Sequence, residues 1–228
     1  LSSSSAASDV YKRQLFDLDG TLADTDKLHL LAMQQLLHED GRTLTEAEFD
    51  AHISGRANAD LCRYLFPDRP LSEHQAFADR KEARFRQLSP TLQATPGLVR
   101  LLEYTESRSI GMAVVTNAPR ANAEHMLKAL DLQGRFEHVL VAEELPRAKP
   151  DPLPYLTGLQ RLGAQADRAL AFEDSVPGVK AASGAGIFTV GLSTSQTAEA
   201  LLAAGAQLVV ADFEDARLWE VIWRMTGK

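Results

Sequence analysis

From residue 96 to near residue 210, short apolar runs of strand length alternate with amphipathic runs of helical period. Leu98, Leu101, Leu102 and Thr105 share one helical face, and residues 110–116 then read as a continuous apolar strand. The unit recurs. Ala123, Met126, Leu127 and Leu130 mark a helix before a strand at 138–142, and Tyr155, Leu159 and Leu162 mark one before 169–172. A helix through 179–183 precedes a strand at 187–190, and Ala198, Leu201 and Leu202 precede one at 207–210. Strands with no polar alternation are covered on both faces, and their alternation with helices dictates a parallel sheet with helices on either side. The fold class expected is α/β, with a Rossmann-like, doubly wound parallel sheet as its core.

One more strand, ending at Leu15-Phe16, precedes this region, and between 25 and 90 no strand signal occurs. That stretch is helical instead. Leu28, Leu31, Ala32 and Leu36 recur at helical spacing, Thr45 and Glu48 form a capping-box pair, residues 58–66 end at Pro67, and residues 72–88 are charged along much of their length. The chain therefore divides into an α/β core at 15–24 and 96–228, interrupted at 25–95 by an inserted all-helical domain. Residues 1–14, LSSSSAASDVYKRQ, begin without Met and carry a serine tract. They read as translated adapter or assembly sequence, and Lys12, Arg13 and Gln14 are poor substitutes for the apolar start of a buried strand.

The partners are bounded by composition. Lys and Arg number 24 against 31 Asp and Glu, a formal charge of −7, which lacks the basic footprint that holds a nucleic acid backbone. No run reaches the roughly 20 apolar residues of a membrane helix. The single cysteine, Cys62, forms no intrachain disulfide and reads as a small buried hydrophobe. A cytoplasmic protein, monomeric or a weak homodimer, with no nucleic acid or membrane partner, is expected.

In an open parallel sheet the ligand crevice lies beyond the carboxyl ends of the strands. Those ends here carry Asp17-Leu18-Asp19-Gly20-Thr21, Thr116-Asn117, Lys149-Pro150 on the loop after the strand near 141, and Glu173-Asp174-Ser175. Alternation along a strand places Asp17 and Asp19 on one side, where two carboxylates repel unless a cation lies between them. With Glu173 and Asp174 they form an oxygen-only set suited to Mg²⁺ rather than zinc. Lys149 and the Thr116 hydroxyl add donors for a dianion, which completes a kit for phosphoryl transfer. Singly, each piece has a plainer reading: a turn for Asp-x-Asp-Gly, a helix cap for Glu173-Asp174-Ser175, a solvated lysine for Lys149. Their joint occurrence at successive strand ends favours the site.

These residues resemble, in order, the four motifs of the haloacid dehalogenase superfamily: Asp17-Leu18-Asp19-Gly20-Thr21-Leu22, Thr116-Asn117, Lys149-Pro150-Asp151-Pro152 and Glu173-Asp174-Ser175-Val176-Pro177-Gly178. The insert is similar to the small helical cap of the branch that holds β-phosphoglucomutase, phosphoglycolate phosphatase and sugar-phosphate phosphatases. The resemblance implies that Asp17 attacks phosphorus and forms an aspartyl-phosphate, and that Asp19 protonates the leaving oxygen and then deprotonates water. It implies that Thr116, Asn117 and Lys149 hold the phosphoryl group. Mg²⁺ would rest on Asp17, the Asp19 backbone carbonyl and Asp174, with Glu173 beside it. In the cap the resemblance singles out His29, Lys81 and Arg56 as substrate contacts, while a polar cap face for His29 and a solvated charge run for Lys81 remain open. The arginine that mutases use for a second phosphate aligns with Asn58. The expected activity is a Mg²⁺-dependent phosphatase acting on a small phosphorylated metabolite, a sugar, polyol or hydroxy-acid monophosphate. The alternatives are a phosphomutase and, from another class, an inactive phosphate-ligand binder.

Overall fold

The computed structural model describes residues 13–226. The reading of residues 1–12 as foreign sequence lies outside the described residues. The core carries β1 (Arg13–Phe16), β2 (Gly111–Thr116), β3 (His138–Val141), β4 (Ala169–Glu173), β5 (Phe188–Leu192) and β6 (Leu208–Val210). All pair in parallel, in the order β3-β2-β1-β4-β5-β6. In that order the sheet is wound outward in both directions from β1, so the crevice between the chain crossings opens beyond β1 and β4.

The strands are buried on both sides, and alternate residues sort to different helices. Leu15, Ala113, Val115, Ala169 and Ala171 pack against α7 (Leu153–Arg161) and α8 (Val176–Gly184) through Tyr155, Leu159, Ala181 and Ala182. Phe16, Met112, Val114, Leu170 and Phe172 face the other way, onto α5 (Leu98–Ser107), α6 (Arg120–Ala129) and α10 (Ala216–Thr226). The last helix escaped the sequence reading although Leu218, Ile222 and Met225 have helical spacing. α9 (Ala198–Ala204) covers the outer strands through Leu201. Among the described residues, no helix is long and apolar enough to cross a membrane.

β1 starts earlier than Leu15. Arg13 pairs with Gly111 and Ala169, and its Nε donates to Leu162 O at 2.7 Å. Gln14 is 2% exposed, and its Oε1 lies 3.0 Å from the Thr105 hydroxyl. Neither residue breaks the strand, because a parallel ladder needs only backbone groups and each long polar side chain reaches a polar partner.

Between β1 and β2 lie α1 (Asp26–Glu39), α2 (Glu46–His52), α3 (Asn58–Leu65) and α4 (Leu71–Leu88). The Thr45–Glu48 capping box starts α2 as its sequence predicts. These helices bury a hydrophobic cluster of their own, including Met33, Leu37, Phe49, Leu61, Leu65, Phe66 and Phe77. Cys62 belongs to it, and burial pushes its thiol pKa up to about 11, which keeps it a protonated core residue. The two connections to the sheet are pinned together. Thr95 N–H donates to Leu22 O at 2.9 Å and the Thr95 hydroxyl to Thr21 O at 2.8 Å.

Gly97, at φ +79°, follows this junction and precedes α5. A Cβ there would stand 2.6 Å from the backbone carbon of Phe213, whose N–H donates to Pro96 O. Strain and clash act together, so Gly97→Ala is expected to destabilise the fold by about 2 kcal/mol or more, read as a lower urea midpoint. An unchanged midpoint would show that the junction can shift at no cost.

Candidate active site

The extended run of β1 carries one residue past its last paired position. Asp17 N–H donates to Phe172 O at 2.9 Å, which places the Asp17 side chain at the carboxyl edge of the sheet. The chain then turns: Gly20, at φ +75°, donates its N–H to Ala23 O at 2.8 Å. Any Cβ on Gly20 would lie 2.0 Å from Asp174 Oδ2, so the turn brings bare backbone against that carboxyl. Asp19 sits in this turn, outside the strand, so the expected alternation along β1 does not aim it; the turn does.

Lys149 and Glu173 set the charge of the site. Lys149 Nζ donates to Asp17 Oδ1 at 2.6 Å and to Glu173 Oε1 at 2.5 Å. Glu173 is fully buried and also accepts from the Tyr155 hydroxyl at 2.7 Å and the Ser175 hydroxyl at 3.2 Å. Asp174, next along, accepts from Thr21 Oγ1 at 3.1 Å and Ser195 Oγ at 2.5 Å. Of the Glu173-Asp174-Ser175 triplet, Ser175 is the helix cap, accepting from Gly178 N–H at 3.1 Å, and the two acids are not.

Oxygens of Asp17, Glu173 and Asp174 all lie within 4.8 Å of one another. Burial pushes the Asp17 carboxyl well above the usual range despite the attraction of Lys149. Asp174 is raised well above it too, by burial and then by its neighbours Asp17 and Glu173. For Lys149, burial opposes the charge, but the two carboxylates outweigh it and raise its pKa. Three acids cannot all ionise beside one lysine in a dry site, which is why Asp17 and Asp174 are raised, and a further cation is what would let them ionise together.

Asp19 is turned away from this cluster, toward the helical insert. Its Oδ1 accepts from Thr25 Oγ1 at 2.8 Å and lies 2.9 Å from His29 Nε2. Burial alone would raise its pKa, yet His29 and the Thr25 hydroxyl overcome that and lower it. Only the backbone of Asp19 can therefore join the acidic cluster. His29 stacks flat on Phe85, with ring centroids 3.9 Å apart, which fixes its orientation.

A partly enclosed cavity joins these groups. It is lined by Asp17, Asp19, Thr116, Asn117, Lys149 and Asp174 from the sheet side, and by His29, Arg56 and Lys81 from the helical side. Thr116 is buried and its Oγ1 accepts from Ala118 N–H at 3.0 Å, which leaves the hydroxyl hydrogen to donate elsewhere. The Asn117 side chain ties two loops together: its Oδ1 accepts from Lys149 N–H at 3.1 Å, and its Nδ2 donates to the carbonyls of Gly55 at 3.2 Å and Lys149 at 3.3 Å. Arg56 is exposed at the rim. Lys81 is 6% exposed, which removes the solvated reading.

Several contributors were not singled out from the sequence: Glu82, Asn122, Tyr155 and Ser195. Glu82 was hidden in a charge run. Its signal is the buried stripe of α4, in which Lys81 and Glu82 fall between Phe77-Ala78 and Phe85 at helical spacing. Tyr155 read only as a core residue, and Ser195 lies in a loop with no pattern.

The comparisons with known proteins agree with this geometry. A family model described as haloacid dehalogenase-like hydrolase matches residues 14–192. The chain is 32% identical over 200 residues to the phosphorylated carbohydrates phosphatase of Thermotoga maritima, covering 86% of this chain and 92% of that one. It is 30% identical over 237 residues to the beta-phosphoglucomutase of Mycobacterium tuberculosis, covering 88% and 89%. The crystal structure of a mutant CbbY from Rhodobacter sphaeroides, in complex with xylulose-(1,5)bisphosphate, superposes with a TM-score of 0.81 at 24% identity, covering 90% of this chain and 96% of that one.

The Tyr155 hydroxyl is the one neutral donor from α7 to Glu173. Tyr155→Phe keeps the ring and removes that bond, so a loss of about 1–2 kcal/mol is expected in urea unfolding. No loss would mean that Lys149 and Ser175 already satisfy the carboxylate.

Proposed function

The chain belongs to the haloacid dehalogenase-like hydrolase family, and we propose that it is a Mg²⁺-dependent phosphatase that hydrolyses a small phosphorylated metabolite, a sugar, polyol or hydroxy-acid monophosphate, through an aspartyl-phosphate on Asp17. The observation that carries this reading is the buried Asp17 carboxylate, bonded to Lys149 on one side, in contact range of Asp174 on the other, and facing the cavity. A family relative is a phosphatase of phosphorylated carbohydrates.

The donor set fits the metal that the family implies. It is made of oxygens only, it gathers more acids than Lys149 alone can keep ionised, and the Gly20 turn brings backbone against Asp174. Asp17, Asp174 and the Asp19 backbone carbonyl would hold Mg²⁺, with Glu173 beside them. When bound, it supplies positive charge that offsets repulsion between the Asp17 carboxylate and a phosphoryl dianion.

The residues divide the work as follows. Lys149 Nζ, the Thr116 hydroxyl and Asn117 bind phosphoryl oxygens, and the Asn117 side chain also fixes the Lys149 loop. An Asp17 oxygen attacks phosphorus, the bond to the leaving oxygen breaks, and Asp19 delivers the proton that oxygen needs. Asp19 then takes a proton from water, which attacks the aspartyl-phosphate, frees Asp17 and releases phosphate. Its surroundings suit both halves: His29 and Thr25 favour the anion that accepts the proton from water, and an incoming phosphate dianion favours the protonated form. The helices at 25–95 act as a cap over the core at 15–24 and 96–228. They bring His29, Lys81 and Arg56 to the substrate and exclude water.

Phosphate release from a panel of phosphate monoesters tests the assignment. Asp17→Asn is expected to abolish release while circular dichroism stays unchanged; near-normal activity would sink the nucleophile. Asp19→Asn is expected to slow turnover by roughly 10²–10⁴, and an effect under tenfold would remove it as acid and base. An isomeric ester formed without free phosphate would point to a mutase instead.

Chelation provides an independent check. Excess EDTA is expected to silence the enzyme and added Mg²⁺ to restore it, whereas full activity in EDTA would take the metal out of the mechanism.

A further inference from the structure

The two ends of the cavity differ in chemistry. The phosphoryl end holds Asp17, Lys149 and Asp174, whereas the cap end is closed by His29, Ser54, Asn58, Lys81, Glu82 and Asn122. At the cap end the cation is already neutralised. Lys81 Nζ donates to Glu82 Oε1 at 2.6 Å and to Asn58 Oδ1 at 3.3 Å, and both side chains of the ion pair are under 10% exposed, at 8% and 7%. The second Glu82 oxygen accepts from Asn122 Nδ2 at 2.5 Å, and Asn122 Oδ1 accepts from Arg86 Nη1 at 2.6 Å. Glu82 is thus fixed on α4 from two sides and tied to α6 of the core.

Other charges on this side add to the effect. Asp19 faces the same space, and Asp26 lies there with a hydrogen bond from the Ser54 hydroxyl at 3.0 Å. Arg56 is exposed at the rim, where water screens it. The cavity continues past Asn58 and Glu82 into an open groove, and the arginines there have partners as well: Arg63 with Asp60 and Arg147 with Asp151.

We propose that Glu82 is a specificity-determining residue: by cancelling Lys81 beside the leaving group, it restricts this phosphatase to esters whose leaving group is a neutral polyol or sugar. The inference rests on the phosphatase reading above and narrows it, excluding hydroxy acids and bisphosphates. A hydroxyl both donates and accepts, so a polyol can donate to Glu82 or Asp19 and accept from Lys81 or Asn58. A carboxylate or second phosphate only accepts, and it meets the Glu82 carboxylate and a lysine already bound to it. The low dielectric of the buried site amplifies that repulsion.

A matched pair of substrates tests this. Glucitol 6-phosphate and 6-phosphogluconate differ at the far carbon, a primary alcohol in one and a carboxylate in the other. Wild-type kcat/KM is expected to favour glucitol 6-phosphate by about tenfold or more, and Glu82→Gln, which leaves the Lys81 charge free, to narrow that ratio by about tenfold. Glu82→Asp keeps the charge and is expected to keep the preference, which a purely structural role for the side chain would not explain. Equal or reversed wild-type preference overturns the proposal, whether or not the variants fold. So does an active Glu82→Gln enzyme with the wild-type ratio. Release from neither ester, nor from any other in the panel, instead overturns the phosphatase reading itself.

Discussion

Lys149 Nζ lies between two buried carboxylates, 2.6 Å from Asp17 and 2.5 Å from Glu173. Taking a lysine and two acids out of water is costly, and here it is offset by the bonds of Lys149 to both acids and by the further donors on Glu173. Glu173 takes Lys149, Tyr155 and Ser175, and the backbone of Lys149 is clamped by Asn117. Removing Lys149 would leave buried carboxylates without their cation, a loss of about 3–5 kcal/mol in comparable sites. The triad therefore joins three crossings of the sheet, from β1, β4 and the loop that follows β3, at the point where the winding reverses. The same lysine that pairs with Asp17 also lines the cavity, so one set of groups both holds the strand ends together and supplies the charge of the site.

The helical insert meets the sheet through polar contacts as well as apolar ones. Asn122 takes Glu82 and Arg86 across the seam, Asn117 donates to Gly55 O, and the Gln196 side chain lies 3.4 Å from Asp50 O. The insert also buries a hydrophobic cluster of its own and is attached by two connections held side by side at Thr95. That cluster is separate from the sheet's, while Ala32 and Phe85 of the insert join the apolar cluster that contains Phe16 and Phe172.

Much of this was legible in the chain. Apolar runs alternating with helical periods dictate the parallel sheet, and Asp17, Asp19, Asp174, Lys149 and Thr116, read at the strand ends, line one cavity at its carboxyl edge. What escaped was of two kinds. α10 had a readable period at Leu218, Ile222 and Met225 that went unread. Glu82, Asn122 and Ser195 are polar residues whose neighbours in space are far away in sequence, and nothing local distinguishes them from surface. Asn117 shows how the two combine: its place after a strand end is local and readable, whereas the ties of its side chain to Lys149 and Gly55 are not.

Sequence alone determined the layer architecture and the chemical identity of the site, because hydrophobic period and the residues that end each strand are local properties of the chain. Tertiary structure decided how those groups are used. It turned Asp19 away from the acidic cluster toward His29, closed Glu173 behind Lys149, and paired Lys81 with Glu82 inside the cavity. Burial is what gives each of those pairings its consequence, since charges that water would screen along an extended chain become, a few ångströms apart in a dry crevice, the terms that set protonation and selectivity.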